Sequence, residues 1–176
     1  QKTFTDDDKT ATAAAVGFGH NTVNEQVFAY VNNAILSAAG DISLAATFAP
    51  VIEAVSIGGA YASGKENSIA LAGAGATNTV DVEVATFIAN SGGLRSVRST
   101  GGEITLNATD ASGVFAQSGA VSIAWGNSSQ GEGSKSVSLG VSITGNEIGT
   151  DDDEDHSVKA YISNSIVFAA DDITLN

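Results

Sequence analysis

The chain has 176 residues with 20 acidic and seven basic side chains, a formal net charge of −13, and no cysteine. An acidic surface of this kind repels nucleic-acid phosphate and anionic lipid headgroups, so neither nucleic-acid binding nor membrane insertion is predicted. The lack of cysteine excludes disulfides, thiolate metal sites and cysteine catalysis. Small and β-branched residues dominate, which favours stacked strands over the bulkier core of a globular enzyme.

Three landmarks recur along the chain in constant order. Each copy has a strand rich in glycine and alanine, then a strand centred on an aromatic residue, then a short segment of the type DISL. They lie at residues 13–23, Tyr30 and Asp41; at residues 70–80, Phe87 and Glu103; and at residues 137–148, Tyr161 and Asp172. This order predicts about two and a half copies of a unit of roughly 60 to 70 residues.

The third copy is longer than the second in one place. Asn146 follows Asn78 by 68 residues, whereas Ile162 follows Ile88 by 74. The six extra residues match the run TDDDED at residues 150–155, which we interpret as an insertion in a turn.

The pattern between the landmarks predicts strands and turns. Apolar residues alternate with polar or small ones at period two, and Gly, Asn, Asp and Ser cluster between the runs. The strands rich in glycine and alanine are predicted to be packed closely on both sides. A second all-β class, the immunoglobulin-type sandwich, lacks such long-period self-similarity.

We therefore predict an all-β, right-handed parallel β-helix (β-solenoid) that forms a single domain over residues 1–176. Each unit is expected to make about three coils of two or three short strands, and neighbouring coils complete one another's core. The residues predicted to face inward are Ala29, Val31, Ile35, Ile42, Leu44, Ala85, Ile88, Ile104, Leu106, Ala160, Ile162, Ile166, Ile173 and Leu175.

The repeated theme resembles a known class of proteins. NTVNEQVFAYVNNAILSAAGDISLAA (residues 21–46), NTVDVEVATFIANSGG with GGEITLNA, and HSVKAYISNSIVFAADDITLN (residues 156–176) are similar to the repeat regions of giant bacterial extracellular proteins. These are the filamentous-haemagglutinin-like adhesins and autotransporter passenger regions. The resemblance implies a right-handed parallel β-helix, a secreted or cell-surface location, and a role as stalk, fibre or adhesive surface. It brings no catalytic residues with it.

Two acidic runs contain the candidate metal ligands. Ca²⁺ takes six to eight oxygen ligands in loose geometry, so these runs predict a calcium site or, alternatively, solvated acidic loops. Neither run has EF-hand spacing. No other cofactor is predicted. The candidate ligands are Asp6, Asp7, Asp8, Asp151, Asp152, Asp153 and Asp155.

The few remaining polar candidates do not form a catalytic pattern. His20 and His156 are the only histidines, and neither lies in a recognisable nucleophile context, so surface histidines are predicted. Arg95 and Arg98 predict either a small anion- or glycan-binding spot or a solvated strand edge. The aromatic residue shared by the three copies is expected to pack between layers, or to stack on sugar rings if it faces outward.

The function predicted from the sequence is structural and adhesive, without enzymatic activity. The chain would be a repeat segment of an extracellular bacterial surface, stalk or filament protein, a stiff rod of stacked coils. Its open edges are expected to be continued by neighbouring repeats or by another copy end to end, and cell-surface glycans are expected partners. The alternative is a polysaccharide-binding or polysaccharide-modifying β-helix of lyase or epimerase type, which would need a basic or mixed-charge groove.

Overall fold

The computed structural model describes residues 10–93, 95–127, 133–149 and 156–176, and in these ranges every regular element is a strand. The predicted all-β class is confirmed. The chain separates into two compact units, each built from three segments. Unit 1 comprises Gln1–Thr22, Ile52–Thr79 and Val114–Glu147, and unit 2 comprises Val23–Val51, Val80–Gly113 and Ile148–Asn176. The single segment over residues 1–176 stays a prediction.

The described strands differ widely in length, from two residues to 23. They are β1 (Thr10–Asn32), β2 (Leu36–Ala38), β3 (Ile42–Phe48), β4 (Val51–Gly64), β5 (Asn67–Ala89), β6 (Val97–Ser99), β7 (Ile104–Asp110), β8 (Gly113–Gly126), β9 (Lys135–Ile148), β10 (Ser157–Ser163), β11 (Val167–Phe168) and β12 (Ile173–Leu175).

Neighbouring strands in each sheet are corresponding strands of successive copies. The sheet orders are β1-β5-β10 with β9 also pairing β5, β11-β6-β2, β12-β7-β3, and β4-β8. The ladders of β10 and β11 with β5 and β6, of β12 and β3 with β7, and of β2 with β6 are parallel, with Ile42 opposite Ile104 and Tyr161 opposite Phe87. The prediction that copies stack in register is therefore confirmed. The prediction of three coils per unit is wrong, because one copy supplies only one strand to each sheet.

The six extra residues of the third copy change the offset at which its strands pair with β5. β9 meets β5 at an offset of 68 residues, seen in the Asn78–Asn146 pair. β10 meets β5 at an offset of 74, with Ser157 opposite Glu83. The extra residues fall between Ile148 and Ser157, and residues 150–155 themselves lie outside the described residues.

Unit 2 has a core of branched aliphatic side chains. Its fully buried residues are Ile88, Val97, Ile104 and Leu106, and Ile42 lies against them. Corresponding residues of the outer layers cover this cluster from both sides: Val31, Leu36, Ala38, Leu44, Ala160, Ile162, Val167 and Ala169. Stacking of similar residues in successive layers thus produces a continuous core.

Most residues predicted to face inward do so, with two kinds of exception. Ile35 and Ile166 are exposed, and the residues that follow them, Leu36 and Val167, point into the core instead. The predicted inward residue was therefore wrong by one position in both β2 and β11. A shift of one residue moves a side chain to the opposite face of a strand. Ile173 and Leu175 are partly exposed because β12 is the outermost strand of its sheet.

Unit 1 is built around alanine. Its buried cluster consists of Ala13, Ala60, Ala62, Ala70 and Ala72, contributed by β1, β4 and β5. A methyl group on Gly58 would overlap the carbonyl oxygen of Gly73 in the facing sheet. The two sheets therefore approach closely, and only small residues fit between them.

The outer faces of unit 1 carry the large apolar residues. Val16 is 83% exposed and Phe18 is 70% exposed, although both lie in a strand that we predicted to be packed on both sides. That prediction is wrong, because β1 packs only through its alanine and glycine face, and the residues between them point outward. The arrangement is the reverse of an ordinary sheet, which buries its larger apolar side chains.

The turn after the long strand repeats in all three copies. Asn33, Asn90 and Asn164 have positive φ angles of 52°, 53° and 46°. The Asn164 amide donates to Oδ1 of Asn90, and the Asn90 amide donates to Oδ1 of Asn32. Asparagine tolerates this left-handed conformation better than most residues, so the turn is set by residue type.

Substituting Asn90 separates the conformational role of the turn from its hydrogen bonds. We expect Asn90→Ala to lower the free energy of unfolding by about 2 kcal/mol, because it places a Cβ in the left-handed region and removes two side-chain hydrogen bonds. Asn90→Gly loses the same hydrogen bonds but adopts positive φ freely, so it should cost less than the alanine variant. Urea denaturation of both variants measures the difference, and equal losses would show that the backbone conformation does not matter.

Candidate functional site

An aromatic ladder runs through the three layers of unit 2. The ring of Phe87 stacks between those of Tyr30 and Tyr161, with centroid distances of 5.0 and 5.1 Å and interplanar angles of 6° and 8°. Phe28 adds an edge contact to Phe87 at 6.3 Å. Stacked rings of this kind stabilise neighbouring layers beyond the area that they bury.

The orientation of these rings decides what the ladder can bind. The row faces outward, with Tyr30 57% exposed and Tyr161 39% exposed. Both faces of Phe87 are nevertheless covered by its neighbours, because the rings stack on one another. A sugar that approached the row from the side would meet ring edges, whereas an aromatic residue of a further layer could stack on a terminal ring. The ladder therefore suits the packing of layers, which was the first of the two predicted roles.

The central ring should matter most to the stability of unit 2. We expect Phe87→Ala to lower the free energy of unfolding by about 2 kcal/mol, because two stacked contacts and the edge contact are lost. Phe87→Tyr preserves the ring and places a hydroxyl where the neighbouring tyrosines already carry one, so it should change stability by less than about 0.5 kcal/mol. Thermal unfolding followed by circular dichroism tests both. If the alanine variant is as stable as the tyrosine variant, the ladder does not hold the layers together.

An asparagine ladder occupies the interior of unit 1. Asn78 is buried, accepts a hydrogen bond from Asn21 Nδ2 at 2.9 Å, and donates from Nδ2 to Asn146 Oδ1 at 2.9 Å. The same amide donates to the Phe115 carbonyl at 2.7 Å, and Asn21 donates to the Glu53 carbonyl at 2.7 Å. These bonds link the facing sheets as well as the successive layers. The ladder thus fixes the layer register through polar groups that must be satisfied when buried.

A row of polar residues lies on the outer surface of unit 2. Gln26 donates from Nε2 to Glu83 Oε2 at 3.3 Å, and the Lys159 ammonium lies 3.9 Å from Glu83 Oε1. The lysine is about half exposed, so this pair contributes little to stability. Glu83 receives one partner from each neighbouring layer, which is again a ladder arrangement.

The two histidines lie in different units. For His20, the Thr77 hydroxyl lies 2.8 Å from Nδ1 and the Thr22 hydroxyl lies 2.9 Å from Nε2. Both ring nitrogens of this exposed residue are thus occupied by hydroxyl groups, and no carboxylate orients the ring. His156 Nε2 lies 3.6 Å from Asp110 Oδ2, which is longer than a hydrogen bond. The described contacts of neither residue include both a nucleophile and an orienting carboxylate.

The predicted calcium ligands cannot be placed. Asp6, Asp7, Asp8, Asp151, Asp152, Asp153 and Asp155 all lie outside the described residues. Among the residues that the structure does describe, no three His, Asp or Glu side chains come together as a metal site. Calcium binding therefore stays a prediction.

The two arginines of the LRSVRS segment lie on the surface of unit 2. Arg95 donates from Nη1 to Asn33 Oδ1, so it binds the turn of the preceding layer. Arg98 lies in β6 between Ser37 and Phe168 of the neighbouring strands, and its side chain is exposed. Glycan binding here, and with it the polysaccharide alternative, stays a prediction.

The outer faces of unit 1 were not predicted as functional surfaces. On the sheet of β1, β5 and β9, residues of the three strands lie side by side, as Val16 does against Gly73. The relevant signal was the alternation of small and large residues in AAAVGFG and VSLGVSI. Such alternation marks two different faces of a strand. Which face is the interior depends on the facing sheet, which a local pattern does not contain.

Comparison with protein-family models, with curated proteins and with solved structures finds no match to this chain. Across the described ranges, the chain also contains no helix that is long and apolar enough to span a membrane. The stacked ladders are consequently the main structural guide to function.

Proposed function

We propose that this chain is a structural and adhesive repeat segment of an extracellular bacterial surface, stalk or filament protein. In this proposal the layers form a right-handed parallel β-solenoid, and each repeat adds one layer of about 4.8 Å to a stiff rod. The observation that carries the proposal is the ladder register: aromatic, asparagine and aliphatic residues of successive copies lie on neighbouring strands. The resemblance to adhesin and passenger repeats supports the secreted or cell-surface location.

Growth of the rod requires strand edges that can accept another layer. β12 pairs only with β7 in the described residues. The N–H of Asn176 donates to the Leu106 carbonyl. Because alternate N–H groups of a strand point in opposite directions, those of Ile173 and Leu175 point away from β7. These donors, together with the terminal ring of the aromatic ladder, are suited to a neighbouring repeat or a second copy.

A proline at this edge tests end-to-end assembly. Leu175→Pro removes one outward N–H without breaking a bond to β7, and proline is tolerated at such edge positions. Leu175→Ala is the matched control, since it shortens the side chain but preserves the N–H. We expect the unmodified chain and the alanine variant to form filaments of uniform width at high concentration in electron micrographs, and the proline variant to form far fewer.

The same experiment can contradict the proposal. A chain that sediments as a monomer at every concentration, with no filaments in micrographs, would argue against end-to-end stacking. Equal assembly of the alanine and proline variants would show that this edge is not the contact. Far-ultraviolet circular dichroism of each variant checks that the strands themselves are retained.

A further inference from the structure

Unit 1 presents two predominantly apolar surfaces, although the chain carries 20 acidic residues. The first, here called the front face, is the outer side of β1, β5 and β9. Lys135 lies at one end of this face and His20 at the other. Its central part consists of Thr12, Ala14, Val16, Phe18, Ile69, Leu71, Gly73, Gly75, Val137, Leu139, Val141 and Ile143. The second, here called the back face, is the outer side of β4 and β8. Its large residues are Val55, Ile57, Tyr61, Val121, Ile123 and Trp125.

The front face has a depression at its centre. Glycines occupy positions 73 and 75 of β5, and larger residues stand on both neighbouring strands. The space above the glycines measures about 300 Å³. Its apolar walls include Val16, Phe18, Val141 and Ile143.

The back face has projections in place of a depression. Backbone hydrogen bonds from Gly113 to Pro50 and from Asn127 to Gly64 fix β8 against β4 at one constant offset. This register places Ile57 beside Gly119 and Val121 beside Gly59. Ile57 is 76% exposed, so it stands above its surroundings. A projecting side chain of this kind is of a suitable size to enter the depression of the front face.

We propose that the front face of one chain packs on the back face of a second copy of this chain, sheet against sheet. Two chains of charge −13 repel each other, and these faces, which carry few charges, are where they can approach. A basic partner would find only one carboxylate on the described part of these faces, that of Glu53 at one end of the back face. Packing front to front would leave two depressions facing each other, whereas packing front to back fills the depression and covers both surfaces. Such a heterologous contact does not close, so it joins copies side by side into open arrays.

The area of the front face predicts how the strength of side-by-side association depends on the number of layers in the chain. At a strand spacing of about 4.8 Å and a rise of about 3.3 Å per residue, three strands of seven residues cover roughly 330 Å². A stable complex usually buries about 800 Å² on each partner, so one chain of this length associates weakly. Side-by-side association should strengthen with each added layer, and only this dependence on length rests on the proposed function.

Cysteine cross-linking tests the contact directly, because the chain has no native cysteine. Val141→Cys and Ile57→Cys are prepared separately, each in the Leu175→Pro background so that end-to-end stacking is blocked, and mixed at millimolar concentration under mild oxidation. We expect the mixed disulfide to form at least about tenfold more than between Ile57→Cys and the exposed control Ser43→Cys. Val16→Asp on the front face should abolish this excess without changing the melting temperature, since Val16 is largely exposed.

Three results would overturn the inference. The first is a mixed yield no higher than that of the control. The second is a predominance of Val141→Cys homodimers, which would indicate front-to-front packing. The third is capture of the chain by phosphatidylcholine–phosphatidylglycerol vesicles with loss of the cross-link, which would make lipid the occupant. Lipid is disfavoured because the outer strands of unit 1 would expose unpaired backbone groups to hydrocarbon. Failure of end-to-end assembly leaves the test intact, since the variants do not depend on it.

Discussion

Replacing Gly58 with alanine should destabilise unit 1 by about 3 kcal/mol, because the added methyl group overlaps backbone in the facing sheet. The carbonyl of Gly73 cannot move as a flexible side chain would, since its own strand lies in a sheet between β1 and β9. The sheets must therefore separate. That separation would also loosen the alanine cluster around Ala60 and Ala72.

Gly119→Ala is the matched control for this prediction. Gly119 also lies in a strand of the β4-β8 sheet, but a Cβ at this position meets no atom within 4 Å. Gly119→Ala should therefore change the free energy of unfolding by less than about 0.5 kcal/mol. Trp125, the only tryptophan, lies in unit 1 and reports its unfolding in urea by fluorescence. Similar midpoints for the two variants would contradict the close approach of the sheets.

Asn78→Asp should be destabilising by about 3 kcal/mol at neutral pH. The substitution keeps the shape of the side chain but removes the amide that donates to the Phe115 carbonyl and to Asn146. It also places a carboxylate at a site where Asn78 is only 1% exposed. An uncompensated charge there is more costly than a missing hydrogen bond.

The loss of stability caused by Asn78→Asp should increase as the pH rises. Burial raises the folded-state pKa of the introduced carboxyl above its unfolded value of about 3.9, so the folded protein prefers the protonated form. The stability difference from the unmodified chain should therefore be smallest below about pH 4 and grow as pH rises through the range above it. Asn146→Asp, at the exposed end of the same ladder, should differ from the unmodified chain in stability by a small amount that is nearly constant with pH. A pH-independent loss at Asn78 would mean that the site is open to water.

The long-period repeat was sufficient to predict which strands are neighbours. The 57-residue spacing of Asn21 and Asn78 in the sequence is the spacing of a hydrogen-bonded pair in the structure. The number of coils per unit could not be predicted in the same way. Asn78 is of a residue type that favours turns and lies near the end of the strand predicted over residues 70–80, yet it is in the middle of β5. Its side chain bonds to adjacent layers, a contact that local turn preferences do not include.

The period-two pattern of a strand did not contain enough information to predict which of its two faces is buried. In β1 the alternation of small and large residues is clear, but the small ones face the interior because β4 lies so close. At the turn after β1, the left-handed Asn33 changes the phase of the strand, which places Leu36 inward and Ile35 outward. Both errors arise from the geometry of neighbouring segments, which period-two patterns do not encode.

Similarity between segments also proved a poor guide to register in one sheet. The sequence aligns the VSI of Val55 with that of Val121, 66 residues later. In the structure Val121 lies beside Gly59, because the hydrogen bonds of β8 to β4 set a shorter offset. Backbone pairing follows the turns at both ends of a strand more strictly than it follows the identity of exposed residues.

The most direct measurement of layer stacking is an engineered disulfide between register partners. Ser43 lies opposite Thr105 in the β3-β7 ladder, whereas Asn107 lies opposite Ala45. Neighbouring strands place partner Cα atoms about 4.8 Å apart, within disulfide range, and a displacement of two residues exceeds about 7 Å. We expect Ser43→Cys with Thr105→Cys to oxidise rapidly within one chain, and Ser43→Cys with Asn107→Cys to remain reduced. Rapid closure of the second pair, or failure of the first, would contradict one layer per repeat.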